Sequence, residues 1–507
     1  MSSDIEALAK GGRTNVTGFL IRLVARIPFL IIAGQWYGPG ALGRLAYAII
    51  AIEFCAQMST VGLKRGLALY LTGEGKGNGV WDALLLTLVV ALLPMTLLML
   101  VPQIMFPNSP VNRLDHILPL IVPALALCEI MLAALAYRFD VKATVRARAI
   151  VEPWTISIAA FALSWTLPRD GLLVAYGISM AAAFVASLIP FVRSYGLPRG
   201  WLPDLGRTWR LARRNLPLAA ADAIEWGSRR LDLAILGLFV SPATVGIYWA
   251  AQQVASLPQK LKTSFDPVLG PAITAKLGEN DHAAVARQVS QVGFWIIAAQ
   301  TGVALTLGFI AVPLMGVIGP GSTFVPGAAA LIFLLMAEVA ASAAVVSEAA
   351  LIYVARFRNF FISLAMIAAQ IALSWLYITL LRNAGYGEAY QAAGVAAALA
   401  TALMLSSIVK VRLVEKIFAA RVTIWRWPLM LAVAAGGVVG YGITWLPELP
   451  AILLGIPLIL GSYGIVIWRR AFGEDDRILF AKAKPTVADV EELTDLPAIS
   501  GADQKPA

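Results

Sequence analysis

RIPFLIIAGQWYGPGALGRLAYAII, residues 26–50, and RRLDLAILGLFVSPATVGIYWAAQQ, residues 229–253, align without a gap at a constant offset of 203 positions. Arg26 pairs with Arg229, Gly34 with Gly237, Pro39 with Pro242, Gly43 with Gly246, and Ala48 with Ala251. Each copy reads as an apolar helix carrying an arginine, a short turn containing proline, and a returning helix led by glycine. Internal repeats on this scale are a signature of membrane transporters.

The rest of the chain fits that reading. Of its 507 residues 59% are hydrophobic and 14% charged, against about 25% charged in a soluble domain. One soluble core cannot hide that much apolar surface, so lipid must cover it. About 20 apolar residues cross the hydrocarbon. On that basis spans are predicted at 14–34, 41–61, 81–101, 115–137, 150–168, 172–192, 215–240, 243–258, 289–312, 326–350, 360–381, 391–409, 425–445 and 450–469. The predicted fold is therefore an all-α polytopic membrane protein of about 14 transmembrane helices. The first apolar run has no cleavage site behind it and is expected to be retained.

Spans one and two map onto seven and eight at the same offset. An even number of helices per unit makes the two copies enter the membrane in the same sense, a parallel repeat. The expected organisation is an N-lobe of six helices (1–212), a C-lobe of six (213–420), two appended C-terminal helices (421–470) and a disordered acidic cytoplasmic tail (471–507). Of the 40 Lys and Arg residues, 32 lie on the side of the N-terminus and three (Arg113, Arg169, Arg382) on the other. The positive-inside rule then makes both termini cytoplasmic.

Several chemistries are excluded. The net charge of +10 is accounted for by cytoplasmic loops, so no nucleic-acid partner is expected. Cys55 and Cys128 lie in apolar runs, and His116 and His282 are the only histidines. Neither set makes a disulfide framework or a metal site. Gly73–Gly79 is a polar loop and no phosphate-binding loop occurs. No catalytic residues and no cofactor are expected.

Charged residues inside spans are the candidate site, because each costs about 2.5–3.5 kcal/mol at the bilayer centre and faces a cavity or a partner. Arg22 and Arg26 stand one turn apart on span one. Asp222, Glu225 and Arg229 share a face of span seven, with Arg230 and Asp232 beside it. In one reading, Arg22, Arg26, Arg229 and Arg230 make a cationic lumen for a diphosphate, which guanidinium matches bidentately. In the other, Glu225 pairs with Arg229, Trp226 stacks on Arg230, and Glu53 neutralises Arg22 or Arg26. Asp222, Glu225 and Glu53 are candidates for ion coupling. Arg44, beside the outer turn, is expected to snorkel. Glu338 and Glu348 in span ten are further charged candidates, and Glu129 and Glu152 have no partner evident in sequence.

The stretch Asn215-Leu-Pro-Leu218, Arg230-Leu-Asp232, Leu236-Gly-Leu-Phe239 and Val245-Gly-Ile-Tyr248-Trp-Ala-Ala251 resembles the centre of the Wzx-type polysaccharide flippases. These belong to the multidrug/oligosaccharidyl-lipid/polysaccharide exporter superfamily. Gly40-Ala-Leu-Gly43-Arg-Leu-Ala-Tyr47, Tyr137-Arg-Phe-Asp140 and Ala392-Ala-Gly394-Val-Ala396 fit the same resemblance. It implies alternating access around a cationic cavity lined by Arg22, Arg26 and Arg229. The implied substrate is an undecaprenyl-diphosphate-linked oligosaccharide, moved from the cytoplasmic to the periplasmic leaflet of a bacterial inner membrane for O-antigen or exopolysaccharide synthesis. Glycosyltransferases and a polysaccharide polymerase would be its partners, beside the lipid bilayer. A lipid II flippase and a cation-coupled drug exporter are the alternatives. A membrane glycosyltransferase or polymerase fits less well, since no catalytic acid pair or large loop occurs.

Overall fold

The computed structural model of the chain describes residues 27–72, 78–198, 200–263, 273–274, 276–279 and 281–477, with the side chains of residues 141, 205, 225, 228, 229, 257, 259–263, 474 and 475 outside the description. The structure is all helical, with no strand among the described residues. Helix α1 (27–37) ends at Gly38, whose φ of +75° no side chain adopts comfortably. Helix α2 (Gly38–Ser59) then opens with Pro39 in its first turn, where a missing N–H is harmless. It stops at Val61 and Gly62, with φ of +50° and +71°.

The sequence predicts only a connecting segment over 61–80. The structure makes Leu63–Thr72 a helix, α3. Leu63, Gly66, Leu67, Tyr70 and Leu71 recur on one buried face while Lys64 and Arg65 stay exposed.

The remaining helices follow the apolar runs: α4 (Gly79–Leu100), α5 (Arg113–Tyr137), α6 (141–163) and α7 (Gly171–Tyr195). The second half of the chain begins with α8 (Leu205–Leu236) and α9 (Pro242–Thr263). It continues through α10 (His282–Phe309), the short α11 (Ala311–Ile318), α12 (Ala328–Val354), α13 (Arg356–Asn383) and α14 (Glu388–Phe418). Helices α15 (Pro428–Ile443) and α16 (Glu448–Ala471) close the fold.

Nine helical stretches among the described residues are long and apolar enough to cross a membrane. The first of them, Ile27–Thr72, is itself broken at Gly38 and Gly62. Three further helices are more polar: α6 and α8 carry several charges, and α9 carries Gln252 and Gln253. The chain is a multi-pass membrane protein.

The packing repeats. In the first bundle α5 packs on α2, α4 and α7, and α7 packs on α6. In the second, α12 packs on α9, α10 and α14, and α14 packs on α13. Each pair recurs six spans later, the relation that the sequence offset predicts for the first two helices. Helices α15 and α16 pack on each other and on α10. Gly302 and Gly436 leave room there for Tyr463, whose hydroxyl donates to the Ala298 carbonyl at 2.6 Å. Small residues let transmembrane helices approach closely, as here.

Beyond α16, Asp476 is buried and pins the chain back onto α10. It accepts hydrogen bonds from Trp295 Nε1 (2.8 Å), the Gly473 N–H (2.9 Å) and Arg426. Burial alone would raise this carboxyl, but the bonds from Arg426, Gly473 and Trp295 outweigh it and hold Asp476 below the usual carboxylate range. The anchor is therefore fully present above the ordinary carboxylate pKa and is lost as pH falls through the depressed one. At neutral pH, Asp476→Asn is expected to speed amide exchange over 472–477 by about tenfold, the worth of a charged hydrogen bond. Unchanged exchange would show that apolar packing holds the segment.

Candidate functional site

Two ends of the bundle are distinguished by their chemistry. The turn end carries the breaks at Gly38 and Ser241, and the basic end carries α3 and the segments leading into α6 and α8. Helix α8 runs antiparallel to α2 and α3 along nearly its whole length. From the turn end downward, the Tyr47 hydroxyl donates to the Ala234 carbonyl at 3.1 Å. Arg230 lies 3.5 Å from Glu53, and the Trp226 ring lies 4.9 Å from that of Phe54. Arg65 meets Asp222 at 2.8 Å. Gly62 then sits flush with α8, since a β-carbon there would lie 2.6 Å from the Ala219 nitrogen. A seam of alternating charge thus joins the first bundle to the second.

This seam revises the sequence reading of span seven. Trp226 packs on Phe54, so it is not the partner of Arg230, which turns to Glu53 on α2. The reason is geometric: the face shared by Trp226 and Arg230 looks onto another helix, whose side chains are nearer than the next turn. The side chains of Glu225 and Arg229, and all of Arg22 and Arg26, lie outside the described residues. Asp222 is buried and bound to Arg65. Asp232, also buried, accepts from Tyr248 (2.7 Å) and Gln252 (3.1 Å), which fastens α8 to α9.

Glu129, Glu152 and Glu348 find partners among residues that the sequence assigns to cytoplasmic loops. Arg148 bonds both Glu129 and Glu152, and Lys64 reaches Glu129 at 2.7 Å. Lys410, buried, reaches Glu348 at 3.0 Å and the Ser363 hydroxyl at 3.1 Å. Arg148 comes inside because α6 starts at Val141 and widens into a π-helical turn over Val145–Val151, a feature frequent at functional sites. The Arg148–Glu152 spacing of one helical turn is the signal that could have found that pair. Tyr176 is buried, with Glu53, Glu152, Arg148 and Arg230 within electrostatic range of its hydroxyl.

The turn end is shut. A β-carbon on Gly43 would sit 1.7 Å from the Pro242 carbonyl oxygen, and one on Gly246 would sit 2.0 Å from that of Pro39. The two glycines and two prolines paired by the sequence repeat are therefore each other's contacts. Reciprocal bonds flank the crossing: Gln35 donates to the Val317 carbonyl (2.9 Å), and Asn108 to those of Gly237 (2.8 Å) and Val240 (3.0 Å). Phe29 and Trp249 meet edge to face at 6.4 Å deeper in.

Arg44 does not snorkel. It is 8% exposed and donates to both oxygens of Asp115, at 3.0 and 2.9 Å, with Asp170 at 3.9 Å. Asp115 is placed by a capping box with Asn112 at the start of α5. Two acids from the starts of α5 and α7 offer the guanidinium better solvation than a distant headgroup. In the second bundle Glu388, at the start of α14, accepts from the Ser241 N–H (3.1 Å) and the Thr244 hydroxyl (2.6 Å) at the start of α9.

No family model and no curated protein matches the sequence. Solved structures do match. The lipid II flippase MurJ in an inward closed conformation superposes with a TM-score of 0.68 at 14% identity, covering 90% of this chain and 99% of that one. A multidrug resistance MATE family transporter of the MOP superfamily gives 0.61 at 12% identity in its inward-facing form, covering 79% and 98%. The outward-facing form of a MATE family transporter gives 0.54 at 12% identity, covering 82% and 96%. The chain shares the fold of these flippases and transporters.

Proposed function

We propose that the protein is an alternating-access flippase for an undecaprenyl-diphosphate-linked oligosaccharide, moving it from the cytoplasmic to the periplasmic leaflet of a bacterial inner membrane. The observation that carries this reading is the charged seam inside the bundle, Arg230 on Glu53 and Arg65 on Asp222, beneath a shut turn end. A diphosphate entering between the bundles exchanges one carboxylate for a better anionic partner of the same arginines. The turn end is taken as periplasmic and both termini as cytoplasmic, following the lysine and arginine distribution. Arg22, Arg26 and Arg229 complete the cationic lining in this proposal, and glycosyltransferases and a polymerase act before and after it.

A cation-coupled drug exporter is the second reading, favoured by Asp222 and by the MATE neighbours. Deleting the gene separates the two. A flippase deletion loses surface polysaccharide and accumulates the lipid-linked repeat unit, whereas normal polymer with raised drug susceptibility would favour the exporter. Within the flippase reading, Arg230→Gln is expected to lower flipping in proteoliposomes by about tenfold or more, the worth of one charge-assisted contact. Glu53→Gln is expected to lose less, because it frees the arginine for substrate. Equal losses from both variants would make the pair structural.

A further inference from the structure

The first three turns of α8 (residues 205–216) lie at the basic end, and up to Arg214 they fall in a segment that the sequence predicts as connecting chain. At about 100° per residue, Thr208, Leu211, Asn215, Ala219 and Asp222 fall on one narrow arc, and all are buried. That arc faces α3 and α4. It is held there by Gly66, where a β-carbon would collide with the Asn215 side chain, and by Arg207, 3.7 Å from the buried Asp82. The opposite arc, about 160° wide, carries in angular order Leu216, Trp209, Arg213, Arg210 and Arg214. Every one of these is exposed, Trp209 by 70% and Leu216 by 62%.

One half of this outer face is thus aromatic and aliphatic, and the other half is guanidinium. At 1.5 Å per residue the whole strip lies within about 12 Å of Pro217 along α8, Leu216 nearest and Trp209 farthest. An apolar row beside a guanidinium row, on the end of the bundle where lysine and arginine concentrate, is the composition of a segment that lies against anionic headgroups. We infer that this face binds the anionic phospholipid headgroups of the leaflet at the basic end. Its back is clamped to α3 and α4 of the first bundle while its far end enters the second. A bound headgroup layer therefore braces the connection between the bundles. The inference stands apart from the transport reading, since it concerns the protein's lipid surroundings whatever its cargo.

The test is hydrogen exchange on the full chain in nanodiscs of phosphatidylglycerol mixed with phosphatidylcholine, compared with phosphatidylcholine alone. The expected result is slower exchange over 205–218 in the anionic nanodiscs. The variant Arg210→Gln/Arg213→Gln/Arg214→Gln is expected to abolish that difference, each arginine being worth about fivefold in headgroup affinity. A control, Arg412→Gln/Lys416→Gln/Arg421→Gln, removes the same charge from exposed positions at the end of α14 and beyond it, and should leave the difference intact. Native mass spectrometry of phosphatidylglycerol retained by the purified variants gives a reading that does not depend on helix stability. Equal protection in the two nanodiscs, or equal loss in both triple variants, overturns the inference.

Discussion

Asp115→Asn is expected to destabilise the protein by about 3–5 kcal/mol, the usual consequence of removing one member of a buried ion pair. Asp115 is fully buried, and both of its oxygens accept from the same guanidinium nitrogen of Arg44. Asparagine preserves the shape and can still accept from the Asn112 N–H, which Asp115 now binds at 2.8 Å. What it removes is the charge. The Arg44 guanidinium then depends on Asp170 at 3.9 Å and on the Phe106 ring at 5.0 Å, neither of which replaces a bidentate carboxylate. The double variant Arg44→Met/Asp115→Leu is expected to recover most of the loss, because no charge remains buried. Unfolding of the four proteins of this cycle in detergent measures the coupling. A single variant within about 1 kcal/mol of the parent, the range of exposed pairs, would mean that water reaches the site.

The second large effect is expected at the helix crossing. Gly43→Leu places four carbons where the Pro242 carbonyl now lies, and no rotamer avoids the contact, because the β-carbon itself would be 1.7 Å from that oxygen. Helices α2 and α9 must separate by several ångströms, losing the Cα–H···O contacts that such close glycine crossings make. The bonds of Asn108 to Gly237 and Val240 flank the crossing and go with it. The variant is expected to insert and fold, because the packing within each bundle is untouched, but to hold the turn end open. Spin labels at Leu167→Cys and Tyr386→Cys, exposed on turn-end loops of the two bundles, in a background lacking Cys55 and Cys128, report the separation. Gly246→Leu should give the same lengthening. An unchanged distance in either variant would show that the crossing is soft and that something else closes this end.

These expectations also show what the residues alone disclose. Apolar runs place nearly every helix, because lipid demands about 20 residues per crossing. The pairing of Gly43 with Gly246 and of Pro39 with Pro242 is visible as a repeat, and the same residues turn out to touch. Partners remote in sequence are not visible: Asp115 and Asp170 lie far along the chain from Arg44, and only folding brings them to it. Lys64, Arg65, Arg148 and Lys410 mislead in a specific way. Counting them as solvated loop charges gives an orientation, yet each belongs to a helix that carries it back to a carboxylate. Helix α3 escapes notice because ten residues cannot span a membrane, although their buried face is periodic.

The crossing of α2 and α9 has the form of an isologous contact: glycine against the turn of the other copy, and the reverse, about a two-fold axis. Away from the crossing the two copies differ: Arg44 and its acids belong to the first alone, where the second has Ile247. At the axis neither copy could change alone, since the space each glycine leaves empty is occupied by its sibling's backbone.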